Sequence, residues 1–520
     1  MGSRALDAVL WAGGFDADPA ALAEADPGDV ITALDIHRVA GRFLGRLADQ
    51  PTTRVDAGLL QAVRASHARD TATAARLDAD ASWVAQGVKD HPAWDGRPLV
   101  LLKGNCASHL LGDPHARRHT SDLDVLTGDG ARYGGIFEGL GYTRLANRAC
   151  HEDATFAAAD RSPLDLHGYF PVWRYPAAPH TVAHGGGLAM ADWPTTRRLT
   201  YETVLTDSVP HPGSPSGTLR IPDVTTATLL LCAHVFKDYV EPPFIQPLAK
   251  VRLAELCEIR DLARHPKFDA ARFTELATEH AAQDAVGFVR QLLTDLDALP
   301  PTLNLTQWPT RDGYPQEAAF GVLVDAGSGL PDLLVRSDTL GTAAEAVGHT
   351  VVPVGRAPVS VAVDPAHGAA GAPALWSTPP AHPKEVFTLD CQVAEVDDGI
   401  SLVFHSPRGL GVYLDELLLC FGNELVHTAR DVYQAGFREF PWATPAGATW
   451  EIDAAGWHVS FLVPRAVLDR HRDAEGRVPL LVCGTRFVEM PDSEWDDFFR
   501  RCVSSVLVPL ILAPADTDQG

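Results

Sequence analysis

The hydrophobic period of the chain changes several times, and these changes constrain the fold more than any other feature of the sequence. Apolar residues recur at helical spacing up to about residue 92, form short continuous or alternating runs from about residue 98, and return to helical spacing over 222–300. Blocks of helices and strands that follow one another in this way are typical of α+β proteins or of separate domains. At 520 residues the chain is also too long for a single hydrophobic core. The sequence therefore predicts a multidomain α+β protein.

The block boundaries predict how the chain divides. Beyond residue 346, short alternating runs such as EVFTLDCQVAEV are separated by turn residues, a pattern typical of β-sandwiches. The earlier runs predict a mixed sheet that lies between two helical regions. The predicted regions are a helical N-terminal region (1–95), a mixed α/β core (96–195), a helical region that completes its cleft (196–300), a connecting segment (301–345) and a C-terminal all-β sandwich (346–515).

Local signals predict where several elements begin and end. Asp29 and Asp223 precede helical patterns and are predicted as N-caps, and apolar residues follow the first of them at helical spacing over 30–44. Residues 248–265, LAKVRLAELCEIRDLARH, are predicted to form an amphipathic helix. Two apolar runs that flank residues 160–163 predict a β-hairpin with its turn at those residues.

Charge and composition narrow the choice of partners. A net charge of −24 argues against nucleic acid and anionic membranes, because an acidic field repels phosphate groups. No apolar run approaches the roughly 18 to 20 residues of a membrane-spanning helix, and the first residues lack the features of a signal peptide, so we expect a cytoplasmic protein. The eight cysteines include no Cys-x-x-Cys pair, which predicts reduced, buried thiols rather than disulfides or a zinc site.

Residues 98–128, PLVLLKGNCASHLLGDPHARRHTSDLDVLTG, contain two aspartates in a short apolar run. If this run is a strand, Asp122 and Asp124 share one face, where their carboxylates repel unless a cation neutralises them. Hard divalent ions such as Mg²⁺ suit this task. Asp165 lies in a similar run, PLDLHG. If the two strands are neighbours, the three carboxylates can hold two metal ions about 4 Å apart, the arrangement used for displacement at phosphorus.

Each of these signals also has a simpler structural interpretation. An isolated Asp-x-Asp is often only a feature of a strand edge or turn. His109, His115 and His119 lie near Cys106 and could suggest zinc, but they flank a turn and two arginines without a recognised ligand spacing, so we expect a solvated loop. His234 lies on an apolar helix, where we favour a hydrogen-bonded histidine in the core over a functional one.

The surrounding order of motifs resembles the uncharacterised nucleotidyltransferase family of the polymerase-beta-like nucleotidyltransferase superfamily. The resemblance covers roughly residues 30 to 290 and implies a polymerase-beta-like core with helical regions on both sides. The superfamily usually has Gly-Gly or Gly-Ser after the first strand, where this chain has Gly104-Asn105. The motifs that match are Leu102-Lys103-Gly104, Arg118, Asp122-Leu123-Asp124, Leu140-Gly141-Tyr142, Leu164-Asp165-Leu166-His167 and, on a later helix, His234.

The resemblance implies a nucleotidyltransferase that moves a nucleoside monophosphate from an NTP such as ATP to an acceptor. Asp122 and Asp124 would bind the metal that holds the β- and γ-phosphates, and with Asp165 a second metal that activates the acceptor. Asp165 would also help to deprotonate the acceptor. The implied ions are Mg²⁺ or, alternatively, Mn²⁺. The remaining residues of the implied nucleotide site are Lys103 and Arg118, which would offset phosphate charge, together with Gly104, Asn105, Ser121 and His167.

The acceptor is left open by the sequence. The acidic charge favours a small molecule or a protein over nucleic acid as the acceptor. One alternative is a toxin-like nucleotidyltransferase that modifies transfer RNA or a protein, as relatives in the superfamily do. A second alternative is an inactive transferase fold that serves as a binding or scaffold protein. The oligomeric state is likewise open.

Overall fold

The computed structural model describes most of the N-terminal two thirds of the chain and separate strands beyond it. No helix in this described part is both long and apolar enough to cross a membrane. Residues 309–347, which include most of the predicted connecting segment, lie outside it. The described residues are 3–103, 106–118, 120, 122–145, 152–172, 197–214, 217–240, 251–305, 308, 348–363, 375–376, 389–407, 416–421, 424–430, 449–452, 456–489 and 501–515.

The N-terminal region is helical, as predicted. Its helices are α1 (Ser3–Ala12), α2 (Ala21–Glu24), α3 (Pro27–His37), α4 (Ala40–Asp49) and α5 (Ala57–Asp90). The predicted N-cap at Asp29 is wrong, because the side chain of Asp26 accepts hydrogen bonds from the backbone N–H groups of Gly28 and Asp29 and Pro27 starts the helix. The helical spacing over 30–44 does not continue through one helix, since Arg38 ends α3 with a φ of 56°.

A seven-stranded mixed sheet follows this region. The strands and helices up to residue 222 are β1 (Leu99–Leu101), α6 (Cys106–Leu111), β2 (Leu123–Leu126), α7 (Gly130–Gly139), β3 (Thr143–Leu145), β4 (Glu152–Ala158), β5 (Arg161–His167), β6 (Tyr169–Val172), β7 (Arg197–Thr200), α8 (Tyr201–Thr206), β8 (Ser208–Pro210) and β9 (Leu219–Pro222). The sheet order is β3-β4-β5-β2-β1-β9-β8, while β6 and β7 pair separately. The predicted hairpin is formed by β4 and β5, but residues 161–163 belong to β5 and not to the turn.

Helices return after the sheet and cover one of its faces. They are α9 (Val224–Val240), α10 (Leu253–Ala263), α11 (Ala270–Glu279) and α12 (Gln283–Asp295). Asp223 accepts a hydrogen bond from the N–H of Thr226 at 2.7 Å, which agrees with its predicted role as an N-cap. The prediction that α10 is amphipathic is wrong: Glu255, Glu258 and Arg260 are buried together with its apolar residues. Every residue of this helix except the half-buried Asp261 is buried, so the helix has no polar face turned to solvent.

The two faces of the sheet belong to different cores because side chains alternate along each strand. Leu101, Leu123 and Val125 pack with α5 and α7. Val100 and Leu126 pack in a second core with residues of α1, α3, α4, α9, α10 and α12. The site described below lies on this second face.

Beyond residue 348 the described chain is almost entirely β-structure, as predicted. Its elements are β10 (Thr350–Val354), β11 (Val359–Val363), β12 (Leu375–Trp376), β13 (Leu389–Val396), β14 (Gly399–Pro407), β15 (Glu416–Phe421), β16 (Glu424–Arg430), β17 (Thr449–Ile452), β18 (Gly456–Pro464), α13 (Arg465–His471), β19 (Val478–Glu489) and β20 (Arg501–Pro514). One sheet has the order β10-β20-β19-β15-β16, with β12 also on β20, and the other has β11-β13-β14-β18-β17. Buried residues of both sheets, such as Val482 and Phe404, share one core.

Asp80 attaches α5 to the sheet and provides a test of the fold. Its buried carboxylate accepts hydrogen bonds from the N–H and Oγ of Ser162 at 2.9 and 2.7 Å and from Nη1 of Arg161 at 3.1 Å. We expect Asp80→Ala to lower the free energy of unfolding by about 1–3 kcal/mol, because it leaves buried donors without an acceptor. Chemical denaturation measures this loss. Asp90→Ala, at the exposed end of the same helix, is the control, and equal losses in both variants would contradict the assignment.

Candidate active site

Asp124 and Asp165 lie side by side in the sheet. Strands β2 and β5 are parallel, and their register places Asp124 opposite Asp165. Residues in register on neighbouring strands point to the same face. Asp124 is 9% exposed and Asp165 3% exposed, so both carboxylates are buried. The structure therefore brings these two predicted site residues together, as expected from the sequence if their strands were neighbours.

Asp122 is less buried than this pair. It is half-buried and precedes β2, which begins at Leu123, so only one of the two aspartates of the Asp-x-Asp motif is in the strand itself. Asp122, Asp124, Lys103 and Thr120 line a common cleft. Asp165 is not one of the described residues that line this cleft. The predicted site residues Gly104, Asn105 and Ser121 lie outside the described part of the chain, as does His119.

Asp124 is surrounded by hydrogen-bond donors. Nζ of Lys103 lies 2.8 Å from its Oδ1, and Nε2 of His167 lies 2.9 Å from the same oxygen. Burial alone would raise the pKa of Asp124, but the charge of Lys103 and the hydrogen bond with His167 hold it well below its usual range. Asp124 is therefore ionised at neutral pH. Both donors contact its Oδ1, so Oδ2 is the oxygen that remains to bind a ligand.

Asp165 has a different environment. The hydroxyl of Thr155, on the neighbouring strand β4, donates a hydrogen bond to its Oδ1 at 2.8 Å. This contact orients the carboxylate and partly compensates its burial. A direct contact between Asp165 and a metal or an acceptor stays a prediction.

Arg118, predicted to contact phosphate, is buried against α10. Its Nε donates to Oε1 of Glu258 at 2.8 Å, and both side chains are buried. Burial would lower the pKa of Arg118, but Glu258 and Glu255 raise it above its ordinary value, so the guanidinium stays charged. The pair links the segment before Asp122 to α10. Sequence reasoning did not anticipate this partner, and a contact with phosphate stays a prediction.

His234 belongs to a buried group of charged side chains on α9 and α10. Its Nδ1 lies 3.4 Å from Oδ1 of Asp238, and its Nε2 lies 3.8 Å from Oε1 of Glu255. Arg252 approaches the same two carboxylates, at 3.7 Å from Oδ2 of Asp238 and 3.4 Å from Oε1 of Glu255. Burial lowers the pKa of His234 to about 4, so it is neutral at pH 7. The donor atoms of His234, Asp238 and Glu255 are close enough to hold a metal. However, Arg252 beside the two carboxylates already offsets their charge.

A second polar group in the cleft is not apparent from the sequence. Nε2 of His109 lies 3.1 Å from Oδ1 of Asp78, on α5, and the ring of His109 contacts that of His211 with centroids 4.7 Å apart. All three residues line the same cleft as Asp122 and Asp124. The expectation of a solvated loop for His109 is therefore wrong. Asp78 and His211 are distant in sequence, so no spacing pattern joins them to His109.

The hydrogen bonding of His211 determines what this group can bind. In the turn His211-Pro212-Gly213, the N–H of Gly213 donates to Nδ1 of His211 at 3.0 Å. Burial and the nearby His109 lower the pKa of His211 to about 4, so the ring is neutral and its proton is on Nε2. Nε2 is buried without a hydrogen-bond partner among the described residues, and the side chain is only 2% exposed.

His211 therefore presents a donor to the cleft. A metal at Nε2 would require the proton to move to Nδ1, where the Gly213 N–H already points. Although the donor atoms of Asp78, His109 and His211 are close enough to hold a metal, this hydrogen bond favours a ligand oxygen instead. The hydroxyl of Thr120 is likewise buried in the cleft wall without a partner among the described residues. The local signal of this arrangement is the His-Pro dipeptide, which occurs four times in the sequence. In three of them, at 91, 211 and 265, Nδ1 of the histidine accepts a hydrogen bond from the second following N–H.

The buried histidines predict how stability depends on pH. The unfolded chain protonates histidine below about pH 6.5, whereas folded His211 and His234 are protonated only near pH 4. Their contribution to the free energy of unfolding is therefore lost as pH falls from 6.5 to 4. We expect the variant His211→Gln with His234→Gln to show a shallower pH dependence over this range in urea denaturation. The half-buried His91→Gln is the control, and an unchanged slope in the double variant would contradict this account.

Comparison with known proteins identifies a family for more than half of the chain. The family model described as an uncharacterised nucleotidyltransferase matches residues 23–296, more than half of the 520-residue chain. The match includes the sheet, the three aspartates and the helices α9 and α10. Searches of curated proteins and of solved structures found no match. The chain belongs to the uncharacterised nucleotidyltransferase family.

Proposed function

We propose that this protein transfers a nucleoside monophosphate from an NTP to an acceptor, with release of pyrophosphate, in a reaction that depends on Mg²⁺. The observation that carries the proposal is the group of carboxylates on the sheet. Asp124 and Asp165 are adjacent in register, Asp122 lines the cleft, and Lys103 contacts Asp124. Such a group in a nucleotidyltransferase family fits metal-dependent phosphoryl chemistry better than an inactive scaffold, because buried carboxylates are costly to keep without a function.

The carboxylates fit a divalent ion. Asp122 and Asp124 would hold the ion. Asp122 lines the cleft, and Asp124 is ionised and has its two donors on Oδ1 rather than on Oδ2. A bound Mg²⁺ or Mn²⁺ would neutralise phosphate charge and make an acceptor oxygen more nucleophilic. Asp165, on the adjacent strand, is proposed as the third carboxylate and as the group that helps to take the acceptor proton.

Cations near the site suit a polyanionic donor. Lys103 contacts Asp124, Arg118 precedes β2 and pairs with Glu258 of α10, and Arg252 lies at the start of α10. Burial and the repulsion of Arg252 and Arg118 lower the pKa of Arg38 to about 9, so these cations are close enough to act on one another. A triphosphate near this group would relieve their repulsion. Lys103 is the cation that reaches the cleft wall and is proposed to contact phosphate directly.

Other residues that line the cleft suit an acceptor oxygen. The Nε2–H of His211 and the hydroxyl of Thr120 are buried hydrogen-bonding groups without partners among the described residues. The carboxylate of Asp78, whose pKa is lowered despite burial by the hydrogen bond with His109, lies in the same wall and disfavours a second polyanion. Together with the net charge of −24, this supports a small molecule or a protein side chain as the acceptor rather than nucleic acid.

We also propose the fold assignments that go with this function. The seven-stranded mixed sheet, with β2 parallel to β5 and antiparallel to β1, is the basis for assigning a polymerase-beta-like core. The two C-terminal sheets with a common core support a β-sandwich over 346–515.

Nucleotide binding tests the proposal. Calorimetry with each NTP should give binding to the wild-type protein with Mg²⁺, and this binding should disappear when EDTA removes the metal. Asp122→Asn with Asp124→Asn should abolish it, because both proposed metal ligands lose their charge. Asp165→Asn should retain binding but reduce pyrophosphate release by at least about 100-fold. The exposed Asp295→Asn is the control.

Two results would contradict the proposal. The first is wild-type protein that is folded but binds no NTP in the presence of Mg²⁺. The second is a double variant that binds as tightly as the wild type, which would place the metal site elsewhere.

A further inference from the structure

Lys103 places a positive charge on a carboxylate that is proposed to hold the metal. Its Nζ lies 2.8 Å from Oδ1 of Asp124 and 5.9 Å from the ring centroid of Phe170. The side chain is only 18% exposed. An ammonium group between a carboxylate and an aromatic face is well stabilised when it is largely removed from water. Asp124 is therefore compensated by the protein's own cation before any ligand arrives.

The electrostatic effect of this ammonium extends across the site. Burial is the largest cause of the low pKa of His234 on α9, and the positive charge of Lys103 also lowers that pKa. A dication bound at Asp124 would lie next to this ammonium group, because Asp124 is in direct contact with Lys103. Two like charges in a partly buried site repel each other several times more strongly than in bulk water.

A nucleoside triphosphate changes this balance. Its phosphate oxygens offer the ammonium group another anionic partner and also bind the metal. Lys103 and Asp124 both line the cleft, so a ligand bound there would lie beside the ammonium group. Metal and nucleotide would then each favour the binding of the other, and the side chain of Lys103 would carry this coupling.

We propose that Lys103 makes metal binding depend on the nucleotide: it neutralises Asp124 in the free protein and moves to the phosphates when metal and nucleotide bind together. This inference rests on the proposed function, since it assumes that Asp124 is a metal ligand. It predicts that the metal alone binds weakly and enters the site with the nucleotide. Lys103 is thus a positioning residue for the metal as well as a phosphate ligand.

Calorimetric titration of Mn²⁺ tests this coupling. Mn²⁺ is titrated at pH 7.5 into the full-length protein, alone and with a non-hydrolysable ATP analogue. Lys103→Met should bind Mn²⁺ alone at least about tenfold more tightly than the wild type, because the competing charge is gone. The factor by which the analogue strengthens Mn²⁺ binding should fall by at least about tenfold in the same variant.

Matched variants separate charge from structure. Lys103→Arg keeps the positive charge and should resemble the wild type when Mn²⁺ is titrated alone. Lys103→Gln removes the charge but keeps a donor for Asp124, so it replaces Lys103→Met if circular dichroism shows that the methionine variant is unfolded. Lys267→Met, which removes an exposed lysine, should leave both affinities unchanged.

Two outcomes overturn different claims. If a folded neutral variant binds Mn²⁺ alone no more tightly than the wild type while the wild type still binds Mn²⁺ with the analogue, the role of Lys103 is wrong and the proposed function stands. If no protein binds Mn²⁺ even with the analogue, both the inference and the proposed function fail.

Discussion

The carboxylate of Asp124 lies almost entirely out of water, and its charge must be balanced by groups that the fold brings to it. Lys103 comes from the end of β1 and His167 from the end of β5, and both reach the same carboxylate oxygen. Burial of an uncompensated carboxylate would cost several kcal/mol, whereas two charge-assisted contacts offset much of this cost. The pairing of β2 with both β1 and β5 is therefore needed for the stability of the site as well as for its chemistry.

The helices that precede the sheet in the sequence and those that follow it are joined by buried polar contacts around α10. Nη1 of Arg260 donates to the backbone oxygen of Gly13 at 2.8 Å, and Nη1 of Arg42 lies 2.6 Å from Oδ2 of Asp261. The Arg118–Glu258 pair connects the same helix to the segment before Asp122. Breaking a buried ion pair is costly because one charge is left uncompensated. Helices α1, α3, α4 and α10 thus contribute to one layer over the face of the sheet that carries the site.

Periodicity and local motifs were sufficient for much of the fold but not for the environment of the site. The change from helical to strand spacing predicted α5, β2 and β5, and the similarity of the Asp124 and Asp165 runs indicated neighbouring strands. Arg118 looked like a phosphate ligand because its partner, Glu258, lies 140 residues away on a helix that appeared amphipathic. His211 was missed for the same reason: its relation to Asp78 and His109 exists only after β8 and α5 have packed. Interactions between residues that are distant in sequence leave no periodic signal.

The central claim is that Asp122 and Asp124 hold a metal-bound nucleotide, with Lys103 on its phosphates. A crystal structure of the protein with Mn²⁺ and a non-hydrolysable NTP analogue, in which anomalous scattering locates the metal, tests this most directly. We expect an anomalous peak within bonding distance of both carboxylates, and Nζ of Lys103 moved from Asp124 to a phosphate oxygen. A peak between Asp78, His109 and His211, or a nucleotide bound away from Asp124, would contradict it.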